Sequence, residues 1–134
     1  MSHLLTKSMQ NLESADILIN ANMFSASVHC SYYSCLQLIK HVLTSDLGMT
    51  IADIEKMTAG KSSHNAIINR AYDALLYYKL NEVDAINLRT NISKLKMQRI
   101  KADYSADLTE LLDSKICYET AHQTILIIHS NFSI

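Results

Sequence analysis

The stretch QRIKADY, residues 98–104, places an arginine, an aspartate and a tyrosine near the end of a helical pattern. Arginine is suited to phosphate, because its planar fork of donors matches phosphate oxygens. Its position is unusual. At about 100° per residue, Leu88, Ile92, Leu95 and Arg99 fall on one face with the spacing of a buried stripe. A guanidinium does not shed its proton, and burying it unpaired costs on the order of several kcal/mol. Arg99 must therefore pair, snorkel or line a wet cleft. Asp103 is four residues on, where two side chains of one helix can meet. A bidentate pair there would satisfy much of the guanidinium. Two readings follow: Arg99–Asp103 pins the end of one helix to its neighbour, or Arg99 points into a groove and meets a phosphate. In the second reading the residues at that groove are Lys96, Arg99, Asp103 and Tyr104.

From Arg89 to Lys101 the chain carries Arg89, Lys94, Lys96, Arg99 and Lys101 with no acid between them. Such a strip is either a solvated helix face or a set of phosphate contacts. Aromatic interleaving, which would support stacking of single-stranded bases, is absent from it. The histidines offer less. His64 stands at an expected helix start, where the helix dipole disfavours its charged form. His29 is in line with Tyr33 and Leu36, and His122 and His129 are one heptad apart. These are expected to be core or surface histidines, and Tyr32 and Tyr33 to be core and dimer packing. No pair has metal-ligand spacing, and His3 and His41 have no identifiable partner, so neither a metal nor a cofactor is expected. Cys30, Cys35 and Cys117 form no C-x-x-C pair and are odd in number, which argues for small core thiols in a reducing compartment.

The elements that must position these groups are helices. The chain has 134 residues, no proline and 2 glycines, so both helix breakers are nearly missing. A hydrophobic fraction of 49% and a charged fraction of 19% describe one globular domain over residues 1–134. The net charge of -1 is too balanced for tight sequence-independent nucleic-acid binding, although a local basic patch is compatible with it. MSHLLTKSMQNLESAD lacks the layout of a signal peptide, and no apolar run nears the ~20 residues of a membrane span. A cytoplasmic location is expected.

Helical periods run from about Ser2 to Asn20, with Leu5, Met9, Leu12 and Ile19 on one face, and from about Phe24 to Asp46, with Gly48 as the stop. The second helix has a wide apolar arc and a strip of Ser27, Ser31 and Ser34, so it should be central and packed on more than one side. Thr50 can cap a short helix, with Gly60 beyond it. Ser62 or Ser63 opens the next, which carries Ile67, Ile68, Ala71, Leu75 and Tyr78. Asn81 caps one that runs to about Ala102. Ser105 or Asp107 starts the last, with Asp107 and Glu110 resembling a capping box, and its shared face holds Leu111, Tyr118, Ala121, Ile125 and Ile128. Short turns make neighbours antiparallel. The expected fold is all-α, an up-and-down bundle of four long helices plus one short helix.

Several of these stretches resemble one family. SASVHCSYYSCLQLIKHVL resembles the second helix of the HEPN domain, SSHNAIINRAYDALL the start of its next long helix, RIKADY the Arg-x-x-Ala-Asp-Tyr motif of one large branch, and AHQTILIIHSNF its closing helix. The resemblance covers nearly the whole chain. It implies a HEPN-like bundle that forms a two-fold homodimer. It also implies a place in a prokaryotic defence or toxin–antitoxin module, with RNA or nucleotide as ligand. Some relatives accompany a small nucleotidyltransferase that modifies a tyrosine, which marks Tyr104 as the candidate modification site and a nucleotidyltransferase as the protein partner. Ribonuclease relatives use Arg-x(4–6)-His. Here Tyr104, Ser105 and Ala106 stand where that histidine belongs, and a tyrosine hydroxyl, ordinarily near 10, is a poor base at neutral pH. The motif for a metal-independent ribonuclease is therefore incomplete. The alternatives are a non-catalytic dimeric interaction module, or a ribonuclease with a non-standard base.

Overall fold

A computed structural model describes residues 3–60 and 63–134. Ser2 and Ser62, expected at two helix starts, lie outside the described residues. Within them the chain forms α1 (His3–Asn20), α2 (Phe24–Ser45), α3 (Ile51–Met57), α4 (Ser63–Asp73) continued by a π-helical segment (Ala74–Tyr78), α5 (Glu82–Tyr104) and α6 (Leu111–Asn131), with no strand. The all-α class is as expected. The helix count is not: six α-helices replace four long and one short. Four are long, α4 is intermediate, and α3 is a single short piece.

Local chemistry explains where the helices begin and end. Asn22, at φ 59°, takes the left-handed conformation that ends α1, with Met23 N–H donating to Leu18 O at 2.8 Å. Gly48, at φ 70°, turns the chain after α2. Thr50 caps α3 by a reciprocal pair: its hydroxyl accepts from Asp53 N–H at 3.0 Å, and Asp53 Oδ2 accepts from Thr50 N–H at 2.9 Å. Asn81 Oδ1 accepts from Asp84 N–H at 3.1 Å and caps α5. The cap of α6 corrects the expectation. Glu110 and Asp113 form its box, and Asp107 lies in the preceding loop, where its N–H donates to Ser105 Oγ. The sequence offers two acidic pairs three residues apart here, and the later one wins.

Helix α2 is the hub. It packs against α1, α4, α5 and α6, and α4 also packs on α5. Its apolar side supplies Val28, Tyr32, Cys35, Leu36, Ile39, Val42 and Leu43 to the core. Its other side closes on α1 through small residues. Ser27 Oγ donates to Ala15 O at 2.7 Å, and Ser8 Oγ donates to Ser34 O at 2.7 Å. Ser8 and Ala15 are buried there, whereas Met9, expected on the packing face, is exposed. Two other expected faces are rotated. On α6 the buried positions are Ser114, Cys117, Ala121, Thr124 and Ile128, with Leu111 exposed, because apolar residues surround that helix and small polar ones set the close approach. Tyr78 is exposed because the π turn places an extra residue in the register that carried Ile67 and Leu75 inward.

The α1–α2 seam yields a contrast. Ser31 Oγ is fully buried and has no hydrogen-bond partner among the described residues. Removing an unsatisfied hydroxyl should cost nothing, whereas removing a satisfied one costs about 1 kcal/mol. Thermal melts should therefore show Ser31→Ala at or above the wild-type Tm and Ser27→Ala a few degrees below it.

Candidate functional site

Three helices that pack on one another converge on Arg99. Helix α2 contributes His29, Tyr32 and Tyr33 from one turn, α4 contributes His64 and Asn65 from its first turn, and α5 contributes Lys96, Arg99 and Asp103. Leu88, Ile92 and Leu95 are buried, and Arg99 follows them on the same stripe with its side chain 17% exposed. Its environment compensates the charge. Nε stands 3.1 Å from Asp103 Oδ2, as an ion pair without an aligned hydrogen bond. A terminal nitrogen donates to Tyr33 Oη at 3.1 Å. The guanidinium carbon lies 5.5 Å from the Tyr33 ring centroid and 5.9 Å from that of Tyr32, within cation–π reach.

Asp103 serves a second group. Its Oδ2 is 3.5 Å from His29 Nδ1, so one carboxylate faces both the arginine and a histidine. His29 also stacks, tilted, on Tyr33 at 4.6 Å. The four rings form a continuous cluster: Tyr33 meets Tyr32 edge-on at 5.2 Å and His64 edge-on at 5.8 Å.

His64 Nδ1 lies 2.9 Å from Tyr32 Oη. Tyr32 is fully buried, and burial first, then the neighbouring Tyr33, push its hydroxyl pKa up to about 12 against the opposing pull of Arg99. Tyr32 thus keeps its proton. It has no other acceptor among the described residues, so donation to Nδ1 satisfies it. That hydrogen bond assigns the remaining His64 proton to Nε2. His64 itself is held below the ordinary histidine range, by burial first and then by the positive charges of Lys40, Arg99 and Lys96. Beside it, Lys96 Nζ donates to Asn65 Oδ1 at 2.7 Å.

The arrangement presents donors: the Arg99 fork, the Lys96 ammonium and the His64 Nε2–H. Its one carboxylate is engaged by Arg99 and His29. An anion suits such a cluster. His29, with Asp103 at Nδ1 and its other ring nitrogen without a partner among the described residues, has the geometry of an oriented acid–base group.

Of the residues expected from sequence, Arg99 and Asp103 meet, and Lys96 lies on the same side of α5, tied to α4. Tyr104 is elsewhere. It is 77% exposed and lies outside the ring cluster. Arg89, from the same cationic strip, is likewise diverted: it stacks over Tyr72 at 4.0 Å and donates to Asn69. His29, Tyr32, Tyr33 and His64, expected as ordinary packing, are the companions of Arg99. His29 and Tyr33 share a helix face at i and i+4, but only the packing of α2 on α5 reveals what that face meets. A separate open cleft of ≈ 760 Å³ between the α1–α2 turn and residues 108–111 is mostly apolar, with Glu110 its only charged group.

Comparison with known proteins returns no family model, no curated protein and no solved structure that matches this chain. Among the described residues no helix is long and apolar enough to cross a membrane, and no group of three histidine, cysteine or acidic side chains stands together as a metal site.

The depressed His64 links this site to stability. The unfolded chain takes up a proton near the ordinary histidine pKa of about 6.5, and the folded chain only at lower pH. Acidification through that value therefore favours unfolding, and the stability is fully present above it. His41 adds to the slope, being depressed by burial first and then by His129. The Tm of the wild type should fall as pH drops from about 7 towards 5. His64→Gln should flatten the profile and leave the part that comes from His41. Parallel profiles would contradict the assignment.

Proposed function

We propose that this chain is a HEPN-type helical domain that binds RNA or a nucleotide through the groove around Arg99, Asp103 and Lys96. In this reading it is a cytoplasmic component of a prokaryotic defence or toxin–antitoxin module and acts as a homodimer, with a small nucleotidyltransferase as partner. One observation carries the proposal: a guanidinium sits on a packing stripe, oriented by Asp103 and Tyr33, beside Lys96 and the donor face of His64. A purely structural arginine needs its carboxylate and little else. Here Lys96, one turn before it on α5, is tied to the neutral Asn65, and no second carboxylate pairs with Arg99 among the described residues. The homodimer draws support from a second stripe on α5, where Val83, Ile86, Met97 and Ile100 are exposed. Tyr104, at the end of that helix, has the exposed hydroxyl that a modification target requires.

The 3.5 Å contact between Asp103 and His29 Nδ1 favours a second reading, a metal-independent ribonuclease with His29 as its non-standard base. His29 would take the proton of a 2′-hydroxyl, whose oxygen attacks the adjacent phosphorus. The P–O5′ bond breaks and the leaving oxygen takes up a proton, while Arg99 stabilises the charge that develops on the phosphoryl oxygens.

Fluorescence anisotropy with a labelled oligoribonucleotide in EDTA tests both readings. Arg99→Ala should weaken binding at least about tenfold, the loss of one charged hydrogen-bonding group, with helix content unchanged by circular dichroism. Equal affinity of the two proteins would remove Arg99 from the site. If, in addition, Arg99→Ala lowers Tm by several degrees, the chain is a non-catalytic interaction module. Intact RNA after incubation with the wild type would end the ribonuclease reading. Cleavage abolished by His29→Ala would establish it.

A further inference from the structure

Away from the Arg99 groove, the connection between α5 and α6 carries groups that packing does not use. Residues 105–110 read SADLTE and form neither helix nor strand. Their one large apolar side chain, Leu108, is 90% exposed. It lines the ≈ 760 Å³ cleft together with Met23, Phe24 and Leu111, and Met23 and Leu111 are exposed as well. A single exposed leucine is ordinary, but four large apolar side chains around one hollow of this size form a contiguous patch. The hollow has a set shape. Ser25 Oγ donates to Thr109 Oγ1 at 3.0 Å, which ties the first turn of α2 to the connection.

A second hollow, of ≈ 640 Å³, adjoins the first at Leu108 and Glu110. Asp107, Glu110 and Asp113 line it, with Lys101 as the only cation. None of these four side chains forms an ion pair among the described residues. Capping accounts for Glu110 and Asp113, whose carboxylates accept backbone N–H groups at the start of α6. Asp107 caps nothing, because only its N–H is engaged there, by Ser105 Oγ. The excess of acid repels phosphate, so this region is no extension of the Arg99 groove. Acid beside an apolar hollow complements a ligand in which a cation stands beside an apolar group.

The backbone adds the ligand's shape. The N–H groups of Leu108 and Thr109 have no hydrogen-bond partner among the described residues. Free donors in a stretch without helix pair with the backbone of an extended chain, and hollows alongside select its side chains.

We propose that the cleft between the α1–α2 turn and residues 108–111 docks an extended segment of another protein that carries basic and apolar residues. A large apolar side chain enters the hollow lined by Met23, Phe24, Leu108 and Leu111. A neighbouring lysine or arginine meets Asp107 and Glu110.

The test selects a random heptapeptide library, displayed on phage, against the full chain. Enriched sequences should combine lysine or arginine with a large apolar residue and lack acids. An enriched peptide, labelled for fluorescence anisotropy, should bind Leu108→Ser at least about tenfold more weakly than the wild type. Asp107→Asn should weaken it about two- to fivefold at low salt, and added salt should erase that difference. Both positions are exposed and cap no helix, so circular dichroism should be unchanged. Both variants should treat the labelled oligoribonucleotide as the wild type does, which separates this site from the one at Arg99. No enrichment, enrichment of acidic or uncharged sequences, or equal binding of the selected peptide by Leu108→Ser and wild type would overturn the proposal. A sedimentation coefficient that falls on Leu108→Ser would assign the cleft to a second copy of this chain and overturn it too.

Discussion

A guanidinium on the packing stripe of α5 is the constraint around which this end of the bundle is arranged. Arg99 follows Leu88, Ile92 and Leu95 in register, so its charge enters space that a leucine would otherwise fill. Desolvating an ion is expensive, and the cost is recovered only through close, well-placed partners. Asp103 supplies the counter-charge from one turn along the same helix, and Tyr33 supplies an acceptor from α2. Because one partner is intrahelical and the other is not, satisfying Arg99 also fixes how α5 sits on α2. Tyr32 then reaches His64 and adds α4 to the same polar network. Orientation of three helices and orientation of the donor cluster are one problem with one solution.

The remainder of the molecule leaves that face of α2 available. The serine strip of α2 packs on α1 through hydroxyl-to-carbonyl contacts of 2.7 Å, an approach that larger side chains would prevent. The aliphatic arc of α2 meets α5 and α6. What remains is the turn that carries His29, Tyr32 and Tyr33. Polar aromatic groups suit it because their rings fill volume while their heteroatoms satisfy one another. Lys40 and Lys96 form no ion pair among the described residues.

How much of this can be read from the sequence depends on the range of the interaction. The Arg99–Asp103 contact follows from a four-residue spacing, and Asn81, Thr50 and Gly48 act through local rules of capping and turning, so all were legible. Central α2 was legible too, since its apolar arc is too wide for one neighbour. Helix faces were less so. Met9 and Leu111 are apolar yet exposed, and Ser8 and Ser114 are polar yet buried, because close helix approach selects size over polarity. Tyr78 was misplaced by a π turn that leaves no compositional mark. His29, Tyr32, Tyr33 and His64 were invisible as site residues because they reach Arg99 from α2 and α4, at sequence separations where no spacing rule operates.

The account depends on Arg99 and Asp103 acting as one compensated unit. A double-mutant cycle measures this directly, with denaturant unfolding of the wild type, Arg99→Met, Asp103→Asn and the double variant. The account predicts that Asp103→Asn alone is the most destabilising change, because it strands a largely buried guanidinium. Arg99→Met in the same chain should then recover much of the loss, with a coupling energy of about 1 kcal/mol or more. Effects that add to within about 0.5 kcal/mol would contradict it, since the charge on the packing stripe would then not depend on its partner.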